Sequence, residues 1–199
     1  MDRLKGKVAI ITGAAGGICH KASELFCQEG AKVVMVDIDP QVEQFSAEIN
    51  ANGGQAIAVG CNVLEPASMR AARDVIAEKP GRIDTVVNGA AAFSPPTHDW
   101  AHITSEMIED VMRVNIDSML YSYQTVLRYM MKKKIRGSFL NFSSSTALAY
   151  NGSVLEGVHQ AGHAEHGQPG QQEVRHPLQL PRPELRLGAQ AGEGLGYVP

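Results

Sequence analysis

Residues 12–19 read Thr-Gly-Ala-Ala-Gly-Gly-Ile-Cys, a glycine-rich turn between an apolar run and a helical pattern. A turn of this kind brings backbone N–H groups and a helix N-terminus up to a pyrophosphate. Gly13, Gly17 and Ile18 are the candidate phosphate contacts. Asp37 closes the second apolar run, 24 residues after Gly13. A carboxylate there accepts hydrogen bonds from a ribose 2′-hydroxyl and repels a 2′-phosphate. Each feature alone also fits a structural role, as a plain turn and a helix-capping aspartate. Together, at this spacing, they point to a dinucleotide.

The elements that would position these residues alternate. KVAIITG, AKVVMVD, QAIAVGCNV, IDTVVNGA and GSFLNFSS read as five strands, apolar throughout rather than alternating. Between them lie helical patterns. The first carries Ala22, Leu25 and Phe26 and stops at Gly30. The second is opened by Pro40 and closed by Gly53, and the third has Met69, Ala72 and Ile76 on one side. A long helix is expected from Ser105 to Lys134, with Met107, Val111, Val114, Met119 and Leu127 inward. Strands of this kind separated by helices imply an α/β fold, a doubly wound parallel sheet covered on both faces.

Composition narrows the partners. Apolar content of 44% and charged content of 20% suit a soluble domain, and a net charge of -3 gives no footprint for nucleic acid or an acidic membrane. No leader or spanning run is visible, so a cytoplasmic location is expected. Cys19, Cys27 and Cys61 are read as reduced thiols with no metal-type spacing. The averages conceal a break. From Gly152 to Pro199 there is no Ile, Phe, Met, Lys, Asn, Asp, Thr, Cys or Trp, whereas twelve Ile and eight Lys precede Gly152. Residues 1–151 are therefore read as the dinucleotide-binding domain and 152–199 as an aberrant, disordered tail that cannot offset its ordering entropy.

The ordered set of motifs resembles the short-chain dehydrogenase/reductase family over about residues 5 to 150. That family shows TGxxxGxG, an acidic residue, Asp-Val, Asn-Asn-Ala-Gly, a helix Asn, a catalytic Ser and a Tyr-x-x-x-Lys pair. Here the matches are Thr12, Gly13 and Gly17, then Asp37, Asn62–Val63 and Asn88 in NGAA, then Asn115 in VMRVNID and Ser144 in LNFSSS. The resemblance implies NAD, with NADP less favoured, bound by Gly13, Gly17, Ile18, Asp37, Asn62, Val63 and Asn88. It implies Ser144 holding a small alcohol or carbonyl substrate and Asn115 anchoring a proton-relay water. Cys19 stands where the family has its last glycine, and Gly89 and Ala91 alter the loop after the fourth strand.

The second half of the catalytic set is missing. Tyrosine is expected at position 156 or 157, where Glu156 and Gly157 stand, and no lysine follows Lys134. Tyr150 is only six residues past Ser144. The genetic code suggests why. His159 to His166 is encoded by CAY-CAR-GCN-GGN-CAY-GCN-GAR-CAY. Read one base later, this string permits Thr-Lys-x-Ala-Met-Leu-Ser. The continuation through Pro183 permits Ser-Leu-Ala-Ser-Lys-Lys-Tyr-Gly-Ile-Arg-Phe-Asn-Ser-Leu-Ala-Pro, which resembles the family's segment after its lysine. The shift overlays a lysine codon on Gln160 and leaves Glu156 where tyrosine belongs. The tail is thus read as an out-of-frame product of a frameshift, a misplaced splice junction or a sequencing error. Two other readings are a natural disordered linker and a metal site on His159, His163 and His166. Gly162, Gly167 and Pro169 weaken the helix that the metal site needs.

The expectation is an oxidoreductase of the short-chain dehydrogenase type, transferring hydride between NAD(H) and an alcohol or carbonyl, with its sheet incomplete on the C-terminal side and inactive as written. The alternative is a catalytically dead nucleotide-binding or regulatory protein. Family members pair through the long helix and the next, so a normal homo-oligomer is not expected here.

Overall fold

The computed structural model describes residues 2–78, 81–92 and 102–143, with Ile76 and Ala77 by backbone alone. Ser144, Tyr150, Glu156 and the whole tail, with its histidines, lie outside the described residues. The chain divides into units Met1–His166 and Gly167–Pro199. The fold and the candidate site belong to the first unit.

Five strands alternate with helices: β1 Val8–Thr12, α1 Gly17–Gln28, β2 Lys32–Asp37, α2 Gln41–Ala51, β3 Gln55–Gly60, α3 Pro66–Glu78, β4 Thr85–Asn88, α4 Ser105–Met112, α5 Ser118–Lys133 and β5 Ser138–Asn141. All pairings are parallel, in the order β3-β2-β1-β4-β5. The chain winds outward from β1 to β3, then returns to the other side of β1 with β4. The sheet direction therefore switches between β1 and β4, where a doubly wound sheet forms its ligand crevice. This is the expected fold class.

Two apolar layers hold the sheet. Alternate side chains leave a strand on opposite faces. Ile10, Val34 and Val86 pack with Met69 and Ala72 of α3 and Val126 and Met130 of α5. Ile11, Val33, Met35 and Val87 pack with Cys19 and Cys27 of α1 and Val42 and Ile49 of α2. Every residue of β1 is buried, as a central strand covered on both faces requires.

Two helix faces differ from expectation. In α1 the buried stripe is Cys19, Ser23 and Cys27, while Leu25 is 50% exposed. Ala22 and Phe26 are partly buried beside that stripe. The serine is accommodated because its hydroxyl donates to the Cys19 carbonyl at 2.8 Å. The long helix is not uniform either. A π-helical turn, Arg113–Asp117, joins α4 to α5. A π turn adds a residue to the helical repeat and rotates the helix beyond it. Val111 is buried before it, but Val126 and Met130 are buried after it and Leu127 is 44% exposed. The α5 helix ends on Lys134 at φ 56°, a left-handed cap.

The switch point is pinned at its base by Asp84. Its Oδ2 accepts from the Val8 N–H at 2.9 Å and from Arg82 Nε at 2.8 Å, with Lys7 Nζ 3.8 Å from Oδ1. Asp84 is only 4% exposed. Burial alone would raise its pKa, but the Arg82 hydrogen bond, the Val8 N–H and the charges of Arg82 and Lys7 outweigh it and hold the carboxyl below the usual carboxylate range. The folded state therefore binds this proton less readily than the unfolded chain, so the stabilisation is present above the unfolded pKa and is lost as pH falls through the depressed folded value. Asp84→Asn should destabilise the fold by about 2 kcal/mol at pH 7, because the charge-assisted bonds from Val8 and Arg82 to a buried carboxylate are lost or weakened. Urea melts at pH 7 and pH 3 should show the gap between wild type and variant narrowing in acid.

Candidate dinucleotide site

The turn after β1 is built for close approach. Gly13 has φ +68°, and a Cβ on it would stand 2.5 Å from the Gly89 carbonyl oxygen and 2.8 Å from the Ala90 nitrogen. Glycine is thus required twice, by backbone conformation and by space. The side chain of Thr12 closes the same junction: its Oγ1 accepts from the N–H of Gly89 at 3.0 Å and of Ala90 at 3.2 Å, and donates to the Val87 carbonyl at 3.5 Å. The end of β1 and the loop after β4 are thereby one rigid edge.

Within the turn, three N–H groups are already used. Ala14 donates to the Val36 carbonyl at 3.3 Å, Gly16 to the Gly13 carbonyl at 3.0 Å, and Ala15 to Asp37 Oδ2 at 2.8 Å. Gly16 precedes α1 without a side chain to cap it, and no acidic residue lies in the first helical turn. The N–H groups of Gly17, Ile18 and Cys19 therefore have no intrahelical acceptor and sit at the positive end of the helix. This is an anion-binding arrangement, formed by two of the expected residues and by Cys19.

A cleft of about 620 Å³ opens at this edge. Gly13, Gly17, Ile18, Asp37, Asn62 and Val63 all line it, so six of the seven expected cofactor residues converge. Asp37 faces both ways. One oxygen holds the Ala15 N–H, and the other accepts from the Asp39 N–H at 3.0 Å. Each carboxylate oxygen keeps a second lone pair for a hydroxyl in the cleft. Asn62 is set by a local turn: its Oδ1 accepts from the Leu64 N–H at 3.0 Å, its Nδ2 donates to Glu65 at 3.0 Å, and its N–H donates to Ser68 at 3.2 Å.

Asn88 stands apart from that lining. Its Nδ2 donates to Asn141 Oδ1 at 2.8 Å, and Asn141 in turn donates to the Tyr123 hydroxyl at 3.0 Å. The side chain ties β4 to β5 and α5, while Gly89, Ala90 and Ala91 line the cleft beside it. Asn115 lies in the π turn. Its Oδ1 accepts from the Ala92 N–H at 2.8 Å and its Nδ2 donates to the Ala92 carbonyl at 3.0 Å. This pair of bonds to the backbone fixes the loop after β4 against the long helix. Ser144 is one residue past the described part of the β5 exit. Sequence reasoning did not single out Thr12 as a structural bridge, nor Asn141 and Tyr123. The signal for Thr12 was present, a hydroxyl at the last strand position, but its partners are 77 and 78 residues away.

The model of the short chain dehydrogenase family matches residues 7–155. The chain belongs to that family. Oxidoreductase UcpA of Escherichia coli K12 is 28% identical over 179 residues, spanning 85% of this chain and 67% of its own length. Galactitol 2-dehydrogenase of Agrobacterium fabrum is 34% identical over 142 residues, spanning 71% of this chain and 54% of its own. The fold is shared with NAD+-bound xylitol dehydrogenase, with a TM-score of 0.74, 20% identity, and coverage of 81% of this chain and 62% of that one. This chain thus spans about half to two thirds of the proteins it matches. Among its described residues no helix is long and apolar enough to cross a membrane.

Gly13→Ala should cost about 3 kcal/mol of stability, since it combines a left-handed backbone with a blocked Cβ. Thermal unfolding monitored by circular dichroism measures this. An equal melting temperature for the variant would refute the close approach of Gly13 to Gly89.

Proposed function

We propose that this chain is an NAD-binding short-chain dehydrogenase module that holds the dinucleotide in the cleft at the β1/β4 switch point and does not turn over substrate. The observation that carries the reading is the Asp37 carboxylate, lining the cleft while bonded to the Ala15 N–H of the phosphate turn. The residues fit such a ligand. The missing Cβ of Gly13 brings the turn against the β4 loop, and the free N–H groups of Gly17 and Ile18 suit a pyrophosphate. Asp37 would accept from the adenosine ribose hydroxyls and repel a 2′-phosphate. Asn62 and Val63 would border the adenine, where the spare lone pair of Asn62 Oδ1 can accept from an amino group.

The nicotinamide, when bound, supplies or accepts the hydride. The chain's own share is position and a proton. Ser144 would hold a small alcohol or carbonyl, and Asn115 would hold the relay water while its amide fixes the Ala92 backbone. The proton has no donor of the family type, because Glu156 and Gly157 occupy the tyrosine positions and no lysine follows Lys134. A free phenol with a pKa of about 10 needs such a cation to act near neutrality. The out-of-frame reading of residues 152–199 accounts for the missing lysine but leaves Glu156 at the tyrosine position, and it would make the chain a product of an active dehydrogenase gene. A second reading is a dead nucleotide-binding or regulatory protein, favoured by a cleft that keeps six expected cofactor residues while the acid/base pair is absent.

Asp37→Ser should remove the charge against a 2′-phosphate. The preference for NADH over NADPH, read by quenching of intrinsic fluorescence or by calorimetry, should fall by about tenfold. An unchanged ratio would show that Asp37 does not read the ribose. Turnover of a polyol panel with NAD+ should be undetectable. Measurable turnover would overturn the proposal of inactivity. Sequencing the transcript across codons 145–199 separates the two readings, because a frame restoring Tyr-x-x-x-Lys supports the damaged dehydrogenase and confirmed tail codons support the binding protein.

A further inference from the structure

The substitutions at positions 19 and 89 meet in space. Cys19 stands where the family has the third glycine of its turn, and Gly89 where the family has an asparagine. A Cβ placed on Gly89 would overlap Cys19 Sγ and lie 2.9 Å from the Thr12 carbonyl oxygen. Gly89 has no left-handed φ, so its backbone does not call for glycine. Space alone excludes a side chain there, and the Cys19 thiol occupies that space. Cys19 is 4% exposed and belongs to the core layer under α1. Burial pushes its pKa up, and the charge of Asp37 adds to this, so it serves as a packed neutral group rather than as a nucleophile.

The third glycine of such a turn normally exists to let the helix pack closely on the strand. We infer that Cys19 and Gly89 are a size-matched pair that sets the gap between the α1 N-terminus and the β4 loop, and so positions the phosphate-binding N–H groups. The side chain has moved from the loop to the helix, and the glycine from the helix to the loop. The inference rests on the dinucleotide reading. Cys19 is here a positioning residue through its thiol, in addition to offering its N–H to the cleft. Gly13 fixes one side of the same gap against Gly89, so a shift at Gly89 is transmitted to the turn.

The test is a double-mutant cycle on the full chain: wild type, Gly89→Ala, Cys19→Gly, and the two combined. Thermal unfolding and NADH affinity are read on each. Gly89→Ala should weaken NADH binding by about tenfold and lower the melting temperature, as an overpacked junction does. The double variant should regain most of both, the remaining deficit coming from the Thr12 carbonyl. If Gly89→Ala yields no folded protein, a folded double variant that binds NADH as Cys19→Gly does supports the pair equally. A double variant as impaired as Gly89→Ala overturns it. Recovery of melting temperature with NADH affinity flat across all four proteins overturns the positioning role and leaves packing only. Absence of NADH binding by wild type defeats the dinucleotide reading, and the positioning role with it, while the thermal cycle still reports whether the two positions are coupled.

Discussion

The contact between the end of β1 and the loop after β4 sets everything else in this molecule. There the Thr12 hydroxyl accepts two backbone N–H groups and Gly13 lies against Gly89. These two strands are neighbours in the sheet but 73 residues apart between Thr12 and Thr85. Holding their ends together creates the edge from which the glycine-rich turn, the α1 N-terminus and Asp37 project. A looser junction would leave the turn free to move and its donors unaimed, and alignment of donors before the ligand arrives limits the ordering cost of binding.

Much of this was legible in the sequence because it is local. The apolar β-branched runs marked five strands, and a run buried on both faces has no competing pattern. Gly13, Gly17 and Ile18 belong to one turn, and Asp37 ends the strand beside it. What escaped depends on distant partners. Leu25 reads as an inward residue of α1, yet Cys19, Ser23 and Cys27 face the sheet, because Ser23 satisfies its hydroxyl within the helix. Leu127 lies outward because of the π turn, whose residue insertion leaves no mark in a 3.6-residue pattern. Asn88 holds a motif position, but its amide meets Asn141, 53 residues on, a pairing set by strand register. The Cys19–Gly89 packing is invisible until both positions are seen together.

The described residues form the cleft at the switch point. The glycine-rich turn, Asp37 and most of the cleft lining come from β1 to β3 and the β4 loop, all before residue 92. Ser144 and positions 156 and 157 lie outside the described residues, and the sequence changes its vocabulary from Gly152 on. The cleft's place follows from the fold, because open doubly wound sheets form their ligand crevice at the switch point. Among the described residues β5 is the outer strand, and Leu140 on it and Phe142 just past it are exposed. Such an edge invites association.

The most direct measurement is an NADH titration of the full chain followed by backbone amide resonances. Saturable shifts centred on Gly17, Ile18, Asp37, Asn62 and Val63, with the α3 C-terminal half unmoved, are the predicted result. Shifts confined to other surfaces, or none at saturating NADH, would contradict the assignment of the cleft.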